Sequence, residues 1–190
     1  MRMFLRKSTA RRDPLAVTMS GVRMGERLLQ VGVDDPALAG ALVAKVGLSG
    51  HAVIAAPDAA SADRARAGAA EAGGLADVQV TSLRQLPFNG GDFDAIVIHS
   101  RSGLLQSLPQ TERAQLLREC RRVLRPGGRI VAIENGERTG LAAVLKGGAK
   151  AYPEYEAAGG TTAALDAAGF RPVRLLADRD GYRFTEGLNT

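Results

Sequence analysis

Residues 28–36 read Leu-Leu-Gln-Val-Gly-Val-Asp-Asp-Pro, and an apolar-rich run follows over residues 37–46. A branched apolar run, a break and then a helical pattern predict a strand that turns directly into a helix. Asp35 and Pro36 predict the helix start, because an aspartate side chain accepts hydrogen bonds from first-turn amides and proline suits the first helical position. In doubly wound α/β proteins, this first strand-to-helix turn is where a nucleotide-like cofactor sits.

The same alternation of strands and helices continues along the chain. Parallel sheets covered by helices on both faces are the arrangement that such alternation favours. The C-terminal residues 170–186 predict a hairpin instead, which would add antiparallel strands at the sheet edge. The predicted fold class is therefore doubly wound α/β, a mostly parallel sheet with a C-terminal antiparallel hairpin. Strands are predicted over 27–33, 51–56, 77–81, 93–99, 129–134, 170–177 and 182–186, and helices over 35–46, 59–72, 110–124 and 161–168.

Length and composition limit the class of protein. At 190 residues the chain suits one α/β domain, which we place over residues 25–190 after a basic arm over residues 1–24. The single cysteine, Cys120, excludes an internal disulfide and fits a reducing compartment. No apolar run approaches the roughly 20 residues that cross a bilayer, and the basic start lacks the apolar core of a secretory signal. We expect a cytoplasmic protein.

Positive charge is concentrated at the start of the chain. Residues 1–27 hold seven arginines and lysines and two carboxylates, a balance of +5 that equals the net charge of the whole chain. The arm is either a solvated terminus or a contact for an anionic surface, namely a membrane or a protein partner. Nucleic acid is the least favoured partner, because Phe4 is the only aromatic residue of the arm and there is no stacking pattern. Lipid binding would make the protein peripheral to the membrane.

Several stretches resemble a known family when taken in order. Leu86-Pro87-Phe88 is followed by Phe93-Asp94-Ala95-Ile96-Val97, and residues 121–134 read Arg-Arg-Val-Leu-Arg-Pro-Gly-Gly-Arg-Ile-Val-Ala-Ile-Glu. Together with residues 26–32, 58–73 and 168–170, these stretches resemble the class I methyltransferases that depend on S-adenosylmethionine (SAM), particularly their quinone-methyltransferase-like branch. The resemblance spans residues 25–187. It implies a Rossmann-like methyltransferase fold with SAM as the expected cofactor.

The positions that hold SAM in that family differ in this chain. The family has an acidic residue followed by Gly-x-Gly-x-Gly, whereas this chain has Gln30 and then a stretch in which Gly32 alone matches. Ala56 stands where the family has an acid for the ribose, and Thr81-Ser82 occupies the corner that contacts adenine. The resemblance leaves four cofactor-binding candidates, which are Gly32, Asp34, Asp58 and Ser82.

The substitutions in the first motif carry physical weight. Glycine lets a ligand approach the backbone, whereas Asp34, Asp35 and Pro36 add bulk at that point. Asp35 would also occupy the helix-start amides, a place that otherwise favours an anionic ligand group. We therefore expect SAM to bind weakly or not at all.

Catalytic side chains are few. His99 is the best-placed candidate, because it ends the fourth predicted strand, where parallel sheets open into the ligand crevice, and histidine titrates near neutral pH. The other interpretation is a histidine that only hydrogen-bonds within the strand-end loop. Two histidines and one cysteine without clustered spacing predict no metal site. Residues 137–160, with Tyr152 and Tyr155, are either a lid over a substrate pocket or a surface for a partner.

Two functions are compatible with these features. The first is a methyltransferase-like protein with a degenerate SAM site, non-catalytic or repurposed as a binding or interaction module. The alternative is an active SAM-dependent methyltransferase acting on a small quinone- or lipid-like molecule. In that case Asp34 or Asp35 would face the cationic part of SAM and Asp58 would reach the ribose.

Overall fold

The computed structural model describes residues 14–136 and 152–190, and their strands form one sheet. The strands are β1 (Arg27–Val31), β2 (His51–Ala56), β3 (Asp77–Val80), β4 (Phe93–Ser100), β5 (Leu124–Asn135), β6 (Val173–Arg179) and β7 (Tyr182–Leu188). They lie in the order β3-β2-β1-β4-β5-β7-β6. Strands β1 to β5 run parallel to one another, and β7 runs antiparallel to both β5 and β6. The predicted fold class is confirmed.

Helices cover both faces of the sheet. They are α1 (Pro14–Met19), α2 (Pro36–Val46), α3 (Ala59–Glu71), α4 (Leu104–Ser107), α5 (Gln110–Val123), α6 (Pro153–Ala157) and α7 (Gly160–Ala167). The apolar side chains of α1, α2 and α3 pack on one face, where Leu28, Val97 and Ile54 point. Those of α4, α5 and α7 pack on the other, against Ile96 and Ile130. This arrangement places the carboxyl ends of β1 to β5 along one edge.

The fifth strand begins earlier than its sequence suggests. The glycines of Pro126-Gly127-Gly128 predict a turn before a strand over 129–134, whereas β5 already begins at Leu124. Phe93 pairs with Leu124 and Ala95 with Arg129, so the register shifts and the extra residues form an irregular bulge within the strand. The hairpin of β6 and β7 is confirmed, with Asp180 and Gly181 in left-handed conformations at its turn.

The start of the described chain packs against the domain. Ala16 of α1 and Val22 are buried in the same cluster as Leu28, so the described part of the predicted arm contacts the core through these side chains. Residues 1–13, which hold most of the arm's charge, lie outside the described residues, and so do residues 137–151 of the segment interpreted as either a lid or a partner surface. No helix in the described ranges is both long and apolar enough to cross a membrane.

Candidate functional site

Gly32 opens the turn between β1 and α2, and the loop after β4 covers it. Its φ of +77° lies in the left-handed region that favours glycine. A Cβ atom at this position would lie 3.0 Å from Leu104 Cδ2 and 3.2 Å from the His99 carbonyl oxygen. The space that a side chain at position 32 would need is therefore taken by this chain's own atoms.

Asp34 ties the first loop to the loop that precedes α4. Its Oδ2 accepts a hydrogen bond of 3.1 Å from the Ser102 backbone N–H, and its Oδ1 accepts one from the Ser102 hydroxyl. A carboxylate that accepts two hydrogen bonds is largely satisfied inside the protein. Asp34, a candidate for the cationic part of SAM, thus holds two loops together.

Asp35 caps α2, as the sequence predicts. Its Oδ1 accepts hydrogen bonds from the N–H groups of Ala37 at 2.9 Å and Leu38 at 3.2 Å, and its backbone is extended. Free amides at a helix start are what would attract an anionic ligand group. Here the aspartate already satisfies two of them.

Removing this cap has a measurable cost. We expect Asp35→Ala to lower the free energy of unfolding by about 1 kcal/mol, since both amides of the first turn lose their acceptor. Urea denaturation of the two proteins measures the difference. Overlapping denaturation curves would contradict the role assigned to Asp35.

His99 lies inside the protein and not in an open crevice. Only 2% of its surface is exposed, and its Nε2 donates to Gln30 Oε1 at 2.8 Å, while Gln30 Nε2 donates to the Ala39 carbonyl at 3.1 Å. An amide oxygen is an acceptor only, so this bond requires a proton on Nε2, which in the neutral ring is the Nε2–H tautomer. Burial lowers the pKa of His99 to about 4, although Asp34 and Asp35 partly oppose the shift. His99 is therefore neutral at pH 7, and this geometry favours the interpretation in which it serves as a hydrogen-bonding partner.

Asp58 and Ser82 are both engaged in local turns. Asp58 caps α3, and it accepts hydrogen bonds from the Ser61 N–H at 2.7 Å and the Ser61 hydroxyl at 3.1 Å. These two bonds are the main reason that the pKa of Asp58 is lowered. Ser82 is exposed, and its Oγ accepts from the Arg84 N–H at 3.3 Å. Among the described residues, no hydrogen bond joins either side chain to Gly32, Asp34 or His99.

A buried polar network at the end of β5 was not among the predicted sites. Glu134 is 3% exposed, and its Oε1 accepts hydrogen bonds from Gln106 Nε2 at 2.5 Å and the Thr161 hydroxyl at 2.6 Å. Thr161 Oγ1 also lies 2.7 Å from the hydroxyl of Tyr155, which is buried against α5. Burial raises the pKa of Glu134 to about 6. An acidic residue at the end of an otherwise apolar strand is the one sequence signal that points to this network.

Tyr152 and Tyr155 pack onto the core beside this network. Tyr155 is buried, and Tyr152 lies so near Gly103 that a Cβ there would overlap its hydroxyl. Within the described ranges, no group of three histidine, cysteine, aspartate or glutamate side chains is placed to hold a metal ion.

The comparisons with known proteins agree with this fold. A family model described as a methyltransferase domain matches residues 29–128, just over half of the chain. No curated protein matches the chain. Many solved structures do, and the three described next are each at most 20% identical to it, so their likeness shows the fold alone.

A SAM-dependent methyltransferase from Aquifex aeolicus is 20% identical, with a TM-score of 0.69 over 93% of this chain and 88% of its own. A protein from Pyrococcus horikoshii OT3 is 17% identical, with a TM-score of 0.61 over 93% and 87%. The structure of PigF with S-adenosylhomocysteine (SAH) is 19% identical, with a TM-score of 0.58 over 87% and 51%. The chain therefore belongs to the methyltransferase domain family, with the fold of class I SAM-dependent methyltransferases.

Proposed function

We propose that this protein keeps the methyltransferase fold but does not bind SAM, and that it acts as a non-catalytic binding module. SAM is the cofactor expected for the family. The observation that carries the proposal is the closure of the first loop, in which Asp34 holds Ser102 while Leu104 and the His99 carbonyl lie over Gly32. A cofactor that approaches the backbone at Gly32 would have to displace this loop.

The other polar groups near this edge do not fit the cofactor either. Gln30 is fully buried and bonded to His99, Asp35 caps α2, and Asp58 caps α3. Freeing one such group from its partner costs roughly 1–3 kcal/mol. Two or three such losses, if additive, would weaken SAM binding by about thirtyfold or more.

Protection from unfolding by SAH tests the proposal. We expect the melting temperature to be unchanged at about 1 mM SAH, because a ligand that does not bind the folded protein adds nothing to its free energy of unfolding. If the Kd were about 1 μM, this SAH concentration would be about 1,000 times the Kd, and binding would stabilise the fold by about 4 kcal/mol. A clear rise in the melting temperature would favour the alternative, an active methyltransferase for a small quinone- or lipid-like molecule.

The basic arm indicates what kind of partner the module binds. We propose that the arm, whose first 13 residues lie outside the described ranges, contacts an anionic surface such as a membrane or an acidic protein. The support is the charge of +5 in residues 1–27.

Deleting residues 1–12 tests the arm. We expect the full chain to sediment with anionic lipid vesicles at low salt and to be released at about 1 M salt, where charges are screened within a few ångströms. The shortened chain should fold normally and stay in the supernatant. Failure of the full chain to sediment would exclude the membrane and leave an acidic protein as the partner to seek.

A further inference from the structure

A cavity of about 310 Å³ lies between α5 and α7, and none of its lining residues belongs to the loop that covers Gly32. Its polar lining is dominated by two arginines, Arg113 and Arg118, and no carboxylate contributes to the lining. Its apolar lining comes from Leu117, the Tyr155 ring and small residues of α7. The lining residues are Gln110, Arg113, Ala114, Leu117, Arg118, Tyr155, Ala158, Gly160, Ala163, Ala164, Ala167 and Ala168.

The positive charge of this cavity is not neutralised by its own helix. The two glutamates of α5 are paired elsewhere, Glu112 with Arg84 at 2.7 Å and Glu119 with Arg122 at 2.8 Å. Within residues 14–136 and 152–190, neither Arg113 nor Arg118 forms an ion pair with a carboxylate. The cavity therefore combines apolar walls with a local excess of positive charge.

Arg113 is held in a fixed orientation. Its Nη1 donates to the carbonyl oxygens of Leu105 and Leu108, both at 3.0 Å, and its guanidinium lies 4.5 Å from the centre of the Tyr155 ring. A guanidinium has five N–H donors, so the N–H groups on Nε and Nη2 remain for a ligand. A preoriented arginine matches the planar geometry of a carboxylate or phosphate.

The size of the cavity points to a small molecule. Ligand sites are typically clefts of about 300–1,000 Å³ with mostly apolar walls and a few polar groups. A second cavity of about 580 Å³ adjoins this one and shares Gln110, Arg113, Tyr155 and Ala158 with it. A carboxylate, Glu154, lines this second cavity, so the anion-binding end of the pair is the first cavity. The large apolar side chains that are exposed on the described surface are Met24, Leu48, Leu75, Val80 and Leu175. None of these side chains lines either cavity. The cavities therefore lack the exposed large apolar side chains that anchor a protein partner.

We propose that this pair of cavities binds a small anionic amphiphile. The anionic head group, a carboxylate or a phosphate, bonds to Arg113 and Arg118. The apolar chain lies along Leu117, the Tyr155 ring and the alanines of α7, where burial of methylene groups supplies the remaining affinity. None of the SAM-position candidates Gly32, Asp34, Asp58 and Ser82 lines either cavity, so the proposal does not rest on whether SAM binds.

Titration calorimetry with decanoate, decyl phosphate and decanol tests the site. We expect the two anions to bind with a Kd of about 1 mM or tighter and decanol at least about tenfold more weakly, because it keeps the chain but lacks the charge. The ratio of the two anions' affinities identifies the preferred head group. Absence of binding by both anions, or equal binding of decanol, would overturn the proposal.

Two variants and one control locate the binding. Arg118→Gln, an exposed position, should weaken binding of both anions about tenfold, and Ala167→Leu should weaken it by filling the cavity from an exposed helix position. Arg66→Gln removes the same charge from the exposed face of α3, and binding should stay within about twofold of the unmodified protein. Equal effects of Arg118→Gln and Arg66→Gln, or no effect of Ala167→Leu, would place the anions outside this cavity.

Discussion

Gly68→Ala is expected to destabilise the protein by about 3 kcal/mol, near the upper end of what overpacking a core usually costs. Gly68 of α3 packs directly on the first turn of α2, and a Cβ there would lie closer than 3.0 Å to the Pro36 carbonyl oxygen. Gly40 of α2 meets the Gly68 carbonyl in the same way. The contact is between two backbones, so no side chain can move aside to relieve it.

Urea denaturation of Gly68→Ala measures this effect, and Gly90→Ala is the matched control. Gly90 is exposed, and a Cβ there would lie 3.4 Å from its nearest neighbour, the Arg122 carbonyl oxygen. The control should be as stable as the unmodified protein, or more stable by up to about 1 kcal/mol, because alanine restricts the unfolded chain. Similar stabilities for Gly68→Ala and Gly90→Ala would contradict the close α2–α3 contact. That contact positions the helix start that carries Asp35.

Protonation of His99 should lower stability as the pH falls from 6.5 to 4. The folded pKa is about 4, against an ordinary value of 6.5, because the imidazole is buried. The unfolded chain therefore binds a proton more readily throughout this range. Each pKa unit corresponds to about 1.4 kcal/mol, so the total loss is about 3 kcal/mol.

Titration of Glu134 changes stability in the opposite direction over the same pH range, so Glu134 must be replaced before the effect of His99 can be measured. Burial raises its pKa from 4.5 to about 6, so its contribution is present below pH 4.5 and is lost as the pH rises through 6. Glu134→Gln keeps an oxygen for Gln106 and Thr161 but does not titrate.

The measurement compares Glu134→Gln with the double variant Glu134→Gln/His99→Gln between pH 4 and 7. The free energy of unfolding of the single variant should fall steeply toward low pH, and the double variant should show a flatter curve. The comparison uses the slope of the free energy of unfolding against pH, so a pH-independent loss of stability in the double variant does not affect it. Parallel curves would mean that His99 titrates normally and is accessible to water.

Local sequence signals predicted the fold because its elements depend on residues close in the chain. Asp35 and Pro36 define the start of α2 through bonds to Ala37 and Leu38, and the apolar runs define β2 and β4. The start of β5 was misplaced because Pro126-Gly127-Gly128 resembles a turn, whereas pairing with β4 keeps it within the strand. Tertiary pairing decided that boundary, and local propensity did not.

The candidate site could not be predicted in the same way, because its contacts join distant parts of the chain. Asp34 and Ser102 are 68 residues apart, and Gln30 and His99 are 69 apart. Sequence motifs indicate which residue types stand at the SAM positions. They do not show that those side chains are already hydrogen-bonded to other residues of the chain. The sequence also does not show that the charges of Arg113 and Arg118 are left unneutralised by the glutamates of α5. That follows only from the pairing of Glu112 and Glu119 with other arginines.

Titration calorimetry with SAH tests the central claim, that the family's cofactor site is closed in this chain. We expect no saturable heat with SAH up to about 1 mM, which places any Kd above that concentration and the binding free energy weaker than about −4 kcal/mol. The same titration with SAM should give the same result. A saturable isotherm with a Kd of about 1 μM, near −8 kcal/mol, would contradict the account, because the Asp34–Ser102 contact and the covering of Gly32 would then have to open for the ligand.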